Sequence, residues 1–280
     1  MHRAARYNDA SRGWRRSARR SRRTGASHIR GTGASWGAPL TAGLPARPGG
    51  GPALPAEILA VRHGESELNL ADAQVRLTEL VARGGRDADA ALSPLGEVQS
   101  ARLGHWLARL PDHRLPEAVV CSPFVRARET ARIVRTELNV AGRPVPELTV
   151  DERLRDREGG ILDIFHGRPV PADELDRRHK LGELYYRPPG GESLADVALR
   201  VRTLLTDLGW THADRRVLLV AHDAVVVMLH YALDGLSEAD LNHLIDSNPV
   251  RNASVSRWVR KDGRLRLARY NGTDHLGGDA

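Results

Sequence analysis

The stretch Ile58-Leu59-Ala60-Val61-Arg62-His63-Gly64 joins a short apolar run to a guanidinium, an imidazole and a residue without a side chain. Such a run predicts a buried strand of a parallel sheet, and α/β sheets present their functional groups at the carboxyl ends of their strands. The fork of Arg62 suits phosphate oxygens, the ring of His63 can attack as a nucleophile near neutral pH, and Gly64 permits close approach of the backbone. These residues suggest phosphoryl chemistry, although a triplet of this kind also recurs by chance.

The composition is that of a globular protein without a membrane span. The 280 residues, 41% of them apolar, suffice for one large α/β domain with a proper core. No apolar run approaches the ~18 residues of a membrane helix, and the first 30 residues lack the apolar region of a secretory signal, so a cytoplasmic protein is expected. The single cysteine, Cys121, cannot form an internal disulfide, and its apolar neighbours predict a buried thiol.

The net charge of +7 is concentrated in an N-terminal extension, residues 1–55. Residues 1–56 contain 11 Arg, no Lys and one Asp, so the remaining chain, with 31 basic and 34 acidic residues, is slightly acidic. The extension is rich in Arg, Gly and Pro without apolar periodicity, which predicts disorder. It could be a nucleic-acid-binding arm, a transit-like segment, an upstream extension from a wrong start site, or a segment without function. Because the basic excess is confined to this extension, nucleic acid is not expected as the main partner.

Strand and helix patterns alternate along the rest of the chain. Helices are predicted at 66–82, at 193–208, and from Ser93, the N-cap residue that precedes Pro94 at the first helical position. The apolar residues of this third helix are expected to pack on the sheet: Leu95, Val98, Leu103 and Leu107. Five further strands are predicted, the last two as a hairpin: 117–121, 148–154, 217–221, 254–259 and 264–268.

This alternation predicts an α/β fold. We expect one domain over residues 56–272, a three-layer sandwich with a mostly parallel central sheet flanked by helices. A flexible C-terminal tail is expected at 273–280. Residues 161–189, which contain four prolines, are predicted to be irregular and to cover the site as a lid.

Residues suited to phosphoryl chemistry follow several of the predicted strands. Arg62 and His63 follow the first, Arg126 and His222 follow two others, and Asp156 lies in a charged loop after a fourth. Because the carboxyl ends of parallel strands meet at one edge of a sheet, these side chains should converge. A nucleophilic imidazole, two guanidiniums, a second imidazole and a proton-donating carboxyl group make a complete phosphotransfer site. Such a site needs no metal or other cofactor, and the sequence contains no zinc, EF-hand or P-loop pattern.

Six sequence blocks occur in an order that is typical of one protein family. They are Arg-His-Gly-Glu-Ser-x-x-Asn at 62–69, Leu-Ser-x-x-Gly-x-x-Gln at 92–99, Ser-Pro-x-x-Arg-Ala-x-x-Thr at 122–130, Leu-Arg-Asp at 154–156, Gly-Glu-Ser at 191–193 and a strand that ends at His222. The chain resembles the histidine phosphatase superfamily, also called the phosphoglycerate mutase-like family, and within it the phosphatase branch. The resemblance covers about residues 57–258, and the fold it implies is the family's three-layer sandwich.

The resemblance also implies roles for individual residues. His63 corresponds to the nucleophile that becomes a phosphohistidine. Three further residues correspond to the groups that hold the phosphoryl oxygens: Arg62, Arg126 and His222. Asn69 matches the family's accessory phosphate ligand. Gly64 and Ser66 are expected to line the pocket, although Ser66 could equally be a local N-cap.

Two positions depart from the family pattern. The general acid of the family is usually Glu, whereas this chain has the shorter Asp156. Glu158 and Glu152 are rival acids, and a site without a dedicated acid also stays open. Asp223 stands where the family often has Gly, and it either orients His222 by a hydrogen bond or caps the following helix.

We therefore expect a metal-independent phosphomonoesterase that acts on a small phosphorylated metabolite through His63. A cofactor-dependent phosphoglycerate mutase is the alternative, although residues 161–189 are shorter than the insert associated with such mutases and lack its motifs. A catalytically weak binding protein with a nucleic-acid-binding tail is the alternative of another class. The sequence does not identify the physiological substrate, and a homodimer stays open.

Overall fold

A six-stranded sheet forms the centre of the computed structural model, which describes residues 53–70, 72–160 and 170–279. The strands are β1 (Glu57–Arg62), β2 (Ala118–Cys121), β3 (Glu147–Val150), β4 (Arg216–Ala221), β5 (Val255–Lys261) and β6 (Arg264–Gly272). Their order across the sheet is β3-β2-β4-β1-β5-β6. The first four strands run parallel, and the hairpin β5-β6 adds two antiparallel strands beside β1. The predicted mostly parallel sheet and the predicted hairpin are confirmed.

Helices cover both faces of this sheet. The described residues form α1 (Ala73–Ala82), α2 (Pro94–Ala108), α3 (Val125–Val140), α4 (Ala172–Tyr185), α5 (Leu194–Thr211), α6 (Asp223–Asp234) and α7 (Glu238–Ser247). On β4, Val217 and Leu219 face a core shared with α5 and α6, whereas Leu218 and Val220 face a second core shared with α2 and α3. Because the central strands are buried on both faces, they appear in the sequence as continuous apolar runs. The predicted three-layer sandwich is confirmed.

The segment 66–82 is not one helix, as the spacing predicted. It forms a 3-10 turn at Glu67–Asn69, and α1 begins only at Ala73. The side-chain oxygen of Asn69 accepts hydrogen bonds from both the backbone N–H and the hydroxyl of Ser66, at 3.0 and 3.1 Å. Asparagine commonly competes with helical bonding in this way. Ser66 therefore takes the local capping role that the sequence left open.

Helix α2 begins as predicted but buries a different face. The hydroxyl of Ser93 accepts the backbone N–H of Gly96 at 3.0 Å, as an N-cap residue does. Leu103 and Leu107 are fully buried, but Leu95 and Val98, which were expected to pack on the sheet, are exposed. The buried stripe instead runs through small and polar residues of the first turns: Gly96, Gln99 and Ser100.

Helix α4 shows that the prediction of irregular structure was wrong for residues 172–185. The helix begins after Pro171 and is interrupted at Gly182, where φ is 75°. Residues 161–169 lie outside the described residues, so the predicted lid is not tested there. Helix α6 is the helix that the sequence placed after Asp223 without giving its bounds, and α7 was not predicted.

The C-terminal end of the predicted domain differs from expectation, and the N-terminal extension is largely untested. The residues after Gly272, expected to be a flexible tail, form a 3-10 segment over Asp274–Asp279 in which Leu276 is buried and its carbonyl oxygen accepts a hydrogen bond from Arg102. Most of the predicted disordered extension, residues 1–52, lies outside the described residues. The helices that are described include none with the length and apolarity of a membrane span.

The orientation of α2 gives a direct test of its packing. We expect Leu103→Ala to lower the free energy of unfolding by about 2–5 kcal/mol, because it leaves a cavity in the core. The control Val98→Ala, in the same helix, should change it by no more than about 0.5 kcal/mol. Urea unfolding of both variants measures the difference. Equal losses would contradict the orientation described here.

Candidate active site

The predicted catalytic side chains meet at the carboxyl edge of the sheet. The order β2-β4-β1 places the residues that follow these three strands side by side. The rings of His63 and His222 have centroids 5.1 Å apart. One carboxylate oxygen of Asp156 lies 3.2 Å from His222 Nδ1 and 3.0 Å from Arg126 Nη2. Residues far apart in sequence thus form one cluster.

His63 is held in the form that suits a nucleophile. Its Nδ1 lies 2.6 Å from the carbonyl oxygen of Gly64, which can only accept, so Nδ1 holds the proton and Nε2 keeps its lone pair. Burial lowers the pKa of His63 well below its usual value, and the charges of Arg126, His222 and Arg62 lower it further. The ring is therefore neutral at neutral pH. A neutral imidazole with a free Nε2 can attack phosphorus.

His222 is fully buried and fixed from two sides. Its Nδ1 faces Asp156, and its Nε2 lies 2.8 Å from the hydroxyl of Ser122. The ring also meets Phe124 edge-on, with centroids 5.1 Å apart. Asp223 does not supply this orientation: its Oδ1 accepts the backbone N–H of Ala224 at 2.7 Å, in the first turn of α6. Asp223 was expected either to orient His222 or to cap the following helix. The structure shows a contact of the second kind, at the start of α6.

Arg126 is buried, and two acidic residues compete for its guanidinium. Nη1 donates to the backbone oxygen of Asp87 at 2.8 Å, and Nη2 donates to carboxylate oxygens of Asp87 and Asp156, both at 3.0 Å. Its face lies over the ring of Phe124 at 4.9 Å. Burial alone would lower the pKa of Arg126, but the two carboxylates outweigh burial and raise it. The guanidinium stays charged.

Arg62 and Asn69, the other predicted phosphate ligands, are anchored at the edge of the cluster. Arg62 Nη1 donates to the carbonyl oxygen of Val250 at 2.6 Å, while its buried Nε has no partner among the described residues. The Asn69 oxygen, already bound to Ser66, also accepts from Asn252 Nδ2 at 3.1 Å. Asn252 Nδ2 reaches the carbonyl oxygen of His63 as well, at 3.2 Å. Arg62 Nε is therefore a buried donor that no described residue occupies.

Gly64 supports the site through packing. Its backbone N–H donates to Thr130 Oγ1 at 3.0 Å and its carbonyl accepts from His63, so neither group is left for a ligand, contrary to the expected lining role. A Cβ on Gly64 would lie 2.4 Å from the carbonyl oxygen of Gly96 in α2. Only a residue without a side chain fits this approach of two backbones.

The next residue, Glu65, ties the same loop to α2. Its N–H donates to Gln99 Oε1 and its carboxylate accepts from the Ser93 hydroxyl, both at 2.8 Å. A Cβ on Gly96 would lie 1.9 Å from the carbonyl oxygen of Glu65. The block at 92–99 therefore acts by holding the loop that orients His63.

Asp156 is the carboxylate that enters the cluster. Its Oδ1 accepts the backbone N–H of Arg157 at 2.8 Å. Burial raises its pKa, but His222 and Arg126 outweigh burial and hold the pKa well below its usual value. The rival acids Glu152 and Glu158 are exposed and have no recorded contact with the two histidines. Asp156 is therefore ionised at neutral pH.

Three residues of the site were not among the predicted ligands: Ser122, Asp87 and Asn252. Ser122 had a signal, because it directly follows β2 within a recognised block. Asp87 and Asn252 had none, since they reach the site through the fold of loops. No group of three or more His, Cys, Asp or Glu side chains is placed to hold a metal ion in the described part of the chain.

Comparison with known proteins identifies relatives of two kinds. A family model described as the histidine phosphatase superfamily (branch 1) matches residues 58–273. A 2,3-bisphosphoglycerate-dependent phosphoglycerate mutase of Methylobacterium radiotolerans is 31% identical over 67% of this chain and 83% of its own length. A glucosyl-3-phosphoglycerate phosphatase of Mycolicibacterium vanbaalenii is also 31% identical, over 75% of this chain and 85% of its own length.

Solved structures agree with this similarity. Bacillus stearothermophilus YhfR superposes with a TM-score of 0.60 at 26% identity, over 79% of this chain and 98% of that chain. A mycobacterial glucosyl-3-phosphoglycerate phosphatase in complex with VO3 superposes with a TM-score of 0.56 at 26% identity, over 78% of this chain and 99% of that chain.

The protonation state of His63 can be tested by NMR of protein labelled with ¹⁵N-histidine. Because the pKa is lowered, acidification through the ordinary imidazole value of about 6.5 should leave His63 neutral, with its proton on Nδ1. The His63→Gln variant identifies the signal by its loss. A titration near the ordinary value, or a proton on Nε2, would contradict the arrangement.

Proposed function

Because the chain belongs to the histidine phosphatase superfamily, we propose that it is a phosphoric monoester hydrolase that works through a phosphohistidine at His63. The observation that supports this most directly is the buried, neutral ring of His63 with a free Nε2, flanked by Arg126 and His222. Such a ring is a nucleophile, and the charged groups beside it suit a dianionic phosphoryl group. A small phosphorylated metabolite as substrate and a cytoplasmic location belong to the same proposal.

The first half of the reaction transfers the phosphoryl group to the protein. The lone pair of His63 Nε2 forms a bond to phosphorus, and the bond between phosphorus and the ester oxygen breaks. Arg62, Arg126 and His222 stabilise the charge on the three remaining oxygens. The departing oxygen takes a proton from Asp156 and leaves as an alcohol.

The second half restores the enzyme. A water molecule gives a proton to the Asp156 carboxylate and attacks phosphorus, while the bond between nitrogen and phosphorus breaks and its electron pair returns to Nε2. Phosphate then leaves. Hydrolysis is thus divided into two displacements at the same imidazole.

The acid role of Asp156 requires a proton that its protein neighbours disfavour. Arg126 and His222 hold its pKa down, and a phosphate dianion would take hydrogen bonds from the same two groups while adding negative charge beside the carboxylate. Both effects raise the pKa of Asp156. We infer that substrate binding itself brings the proton to Asp156.

Mutase activity is the second candidate, because one of the relatives reported above is named as a phosphoglycerate mutase. Hydrolysis is preferred because residues 161–189 are shorter than the insert associated with such mutases. The two activities separate when phosphate release and phosphoglycerate interconversion are followed in one incubation with a bisphosphoglycerate primer. Interconversion that outpaces release would favour the mutase.

The nucleophile is tested by His63→Ala. We expect the variant to fold and to lose turnover on all phosphomonoesters, because both displacements use this ring. Rapid quenching of the unmodified protein should trap an adduct that survives alkali and is lost in acid, as a phosphoramidate is. The control His113→Ala changes an exposed histidine and should keep full activity. Near-normal turnover of His63→Ala, or an acid-stable adduct, would contradict the phosphohistidine mechanism.

The acid is tested by the dependence on the leaving group. Asp156→Asn should slow the phosphorylation of His63 on the order of 100-fold or more for alkyl phosphates, which need a proton at the departing oxygen. Phosphorylation of His63 by p-nitrophenyl phosphate should be slowed far less, since p-nitrophenolate leaves without a proton. The control Glu158→Gln, at an exposed rival, should show no such difference. The reverse pattern would assign the acid to Glu158.

A further inference from the structure

One carboxylate at the site has no role in the mechanism above. Asp87 lies on a 3-10 turn (Asp87–Asp89) between α1 and α2, and it contacts Arg126 through both its backbone oxygen and its carboxylate. Three of the five N–H groups of that guanidinium are thereby committed, two to Asp87 and one to Asp156. Two carboxylates share a single nitrogen, Nη2, at 3.0 Å each.

The exposure of these side chains shows the direction in which the site opens. His63 is 2% exposed and Arg126 4%, whereas the side chain of Asp156 is 23% exposed and that of Asp87 44%. In a phosphoryl transfer the nucleophile and the leaving group lie on opposite sides of phosphorus. Because His63 is nearly buried, a leaving group opposite it lies toward solvent, where the more exposed carboxylates of Asp156 and Asp87 also lie.

The turn that bears Asp87 is fixed in place. The backbone N–H of Leu92, three residues after the turn, donates to the carboxylate of Glu129 on α3 at 2.9 Å, and Glu129 lies one helical turn beyond Arg126. Asp89 caps the start of the turn, since its carboxylate accepts the backbone N–H of Arg86 at 2.9 Å. Asp87 instead contacts the guanidinium of Arg126. Its charge therefore lies at a defined place beside a group that would hold the phosphoryl oxygens.

We propose that Asp87 determines specificity: it disfavours phosphomonoesters whose leaving group bears a second phosphate or a carboxylate, and it favours leaving groups that are neutral or cationic. This inference rests on the proposed hydrolase function. A phosphoryl oxygen bound to the Arg126 guanidinium lies within about 8 Å of the Asp87 carboxylate by hydrogen-bond lengths alone, which is about one Debye length in physiological salt. A second anion in the leaving group lies on the same side of the pocket as Asp87 and is repelled, whereas a hydroxyl or ammonium group can donate to it.

The test compares two substrates that differ in one group. Glycerol 3-phosphate and 3-phosphoglycerate share a three-carbon skeleton, but the second bears a carboxylate in place of a hydroxymethyl group. In Asp87→Asn, the ratio of kcat/KM for 3-phosphoglycerate to that for glycerol 3-phosphate should rise about tenfold, mainly through KM, since half-exposed charges are partly screened. Asp87→Glu keeps the charge and should keep the original ratio.

The matched control is Asp89→Asn. It removes the same charge from the same turn at the same 44% side-chain exposure, but Asp89 does not contact Arg126. The ratio should not change in this variant. Circular dichroism establishes that each variant is folded. If Asp87→Asn does not fold, the unmodified enzyme supplies the result: added salt should raise the ratio, because it screens the repulsion.

The outcomes are distinct. If Asp87→Asn loses activity equally on both substrates, Asp87 only positions Arg126 and the inference is wrong, while the hydrolase function stands. If added salt lowers the ratio of kcat/KM for 3-phosphoglycerate to that for glycerol 3-phosphate, the inference is also wrong. The entrance of the site would then attract anionic leaving groups. If the unmodified protein hydrolyses neither substrate nor p-nitrophenyl phosphate and forms no adduct at His63, the proposed function fails, and the inference fails with it.

Discussion

The hydrogen bond from His63 Nδ1 to the carbonyl oxygen of Gly64 fixes which nitrogen of the ring can react. That carbonyl is directed at the ring only because the loop after β1 is pressed against α2. The N–H of Gly64 is bound by Thr130, and neither Gly64 nor Gly96 has room for a Cβ. Several residues of the sequence blocks at 62–69 and 92–99 therefore hold the loop after β1 in place and do not themselves bind substrate. The chemistry of one imidazole depends on the contact of two backbones.

The second constraint is charge compensation in a buried place. Arg126, His222 and Asp156 are each costly to bury alone, and each is matched by another. The site is a closed network in which the carboxylates occupy donors that a phosphate would use. Binding a dianion rearranges that network instead of filling a vacant hole, and a change in the protonation of Asp156 follows from the new balance. Asp87 belongs to the same network and influences which leaving groups the site favours.

The sequence predicted the parts of this site that depend on strand ends. Apolar runs followed abruptly by charged residues located Arg62, His63 and His222, and the sheet brings the latter two within van der Waals reach of each other. Contacts through loops could not be predicted in this way. Asp87 lies 39 positions from its partner Arg126, and nothing in its local pattern indicates that contact. The late start of the helix predicted at 66–82 depends on the side chain of Asn69, and the buried face of α2 depends on the loop that packs against it. These features are set by tertiary contacts, which local propensity does not register.

The strand order has a consequence for how the protein is made. β1 and β2 never touch, because β4, which begins at residue 216, lies between them and pairs with both. Until β4 leaves the ribosome, β1 has no partner on either side and β2 lacks one of its two. A nascent or truncated chain that ends before this point displays unpaired apolar strands, which favour aggregation and are the usual clients of chaperones. The two halves of the phosphoryl pocket are likewise separate until then, so no amino-terminal fragment can have partial activity. The pocket can therefore form only late in synthesis, after β4 has been made.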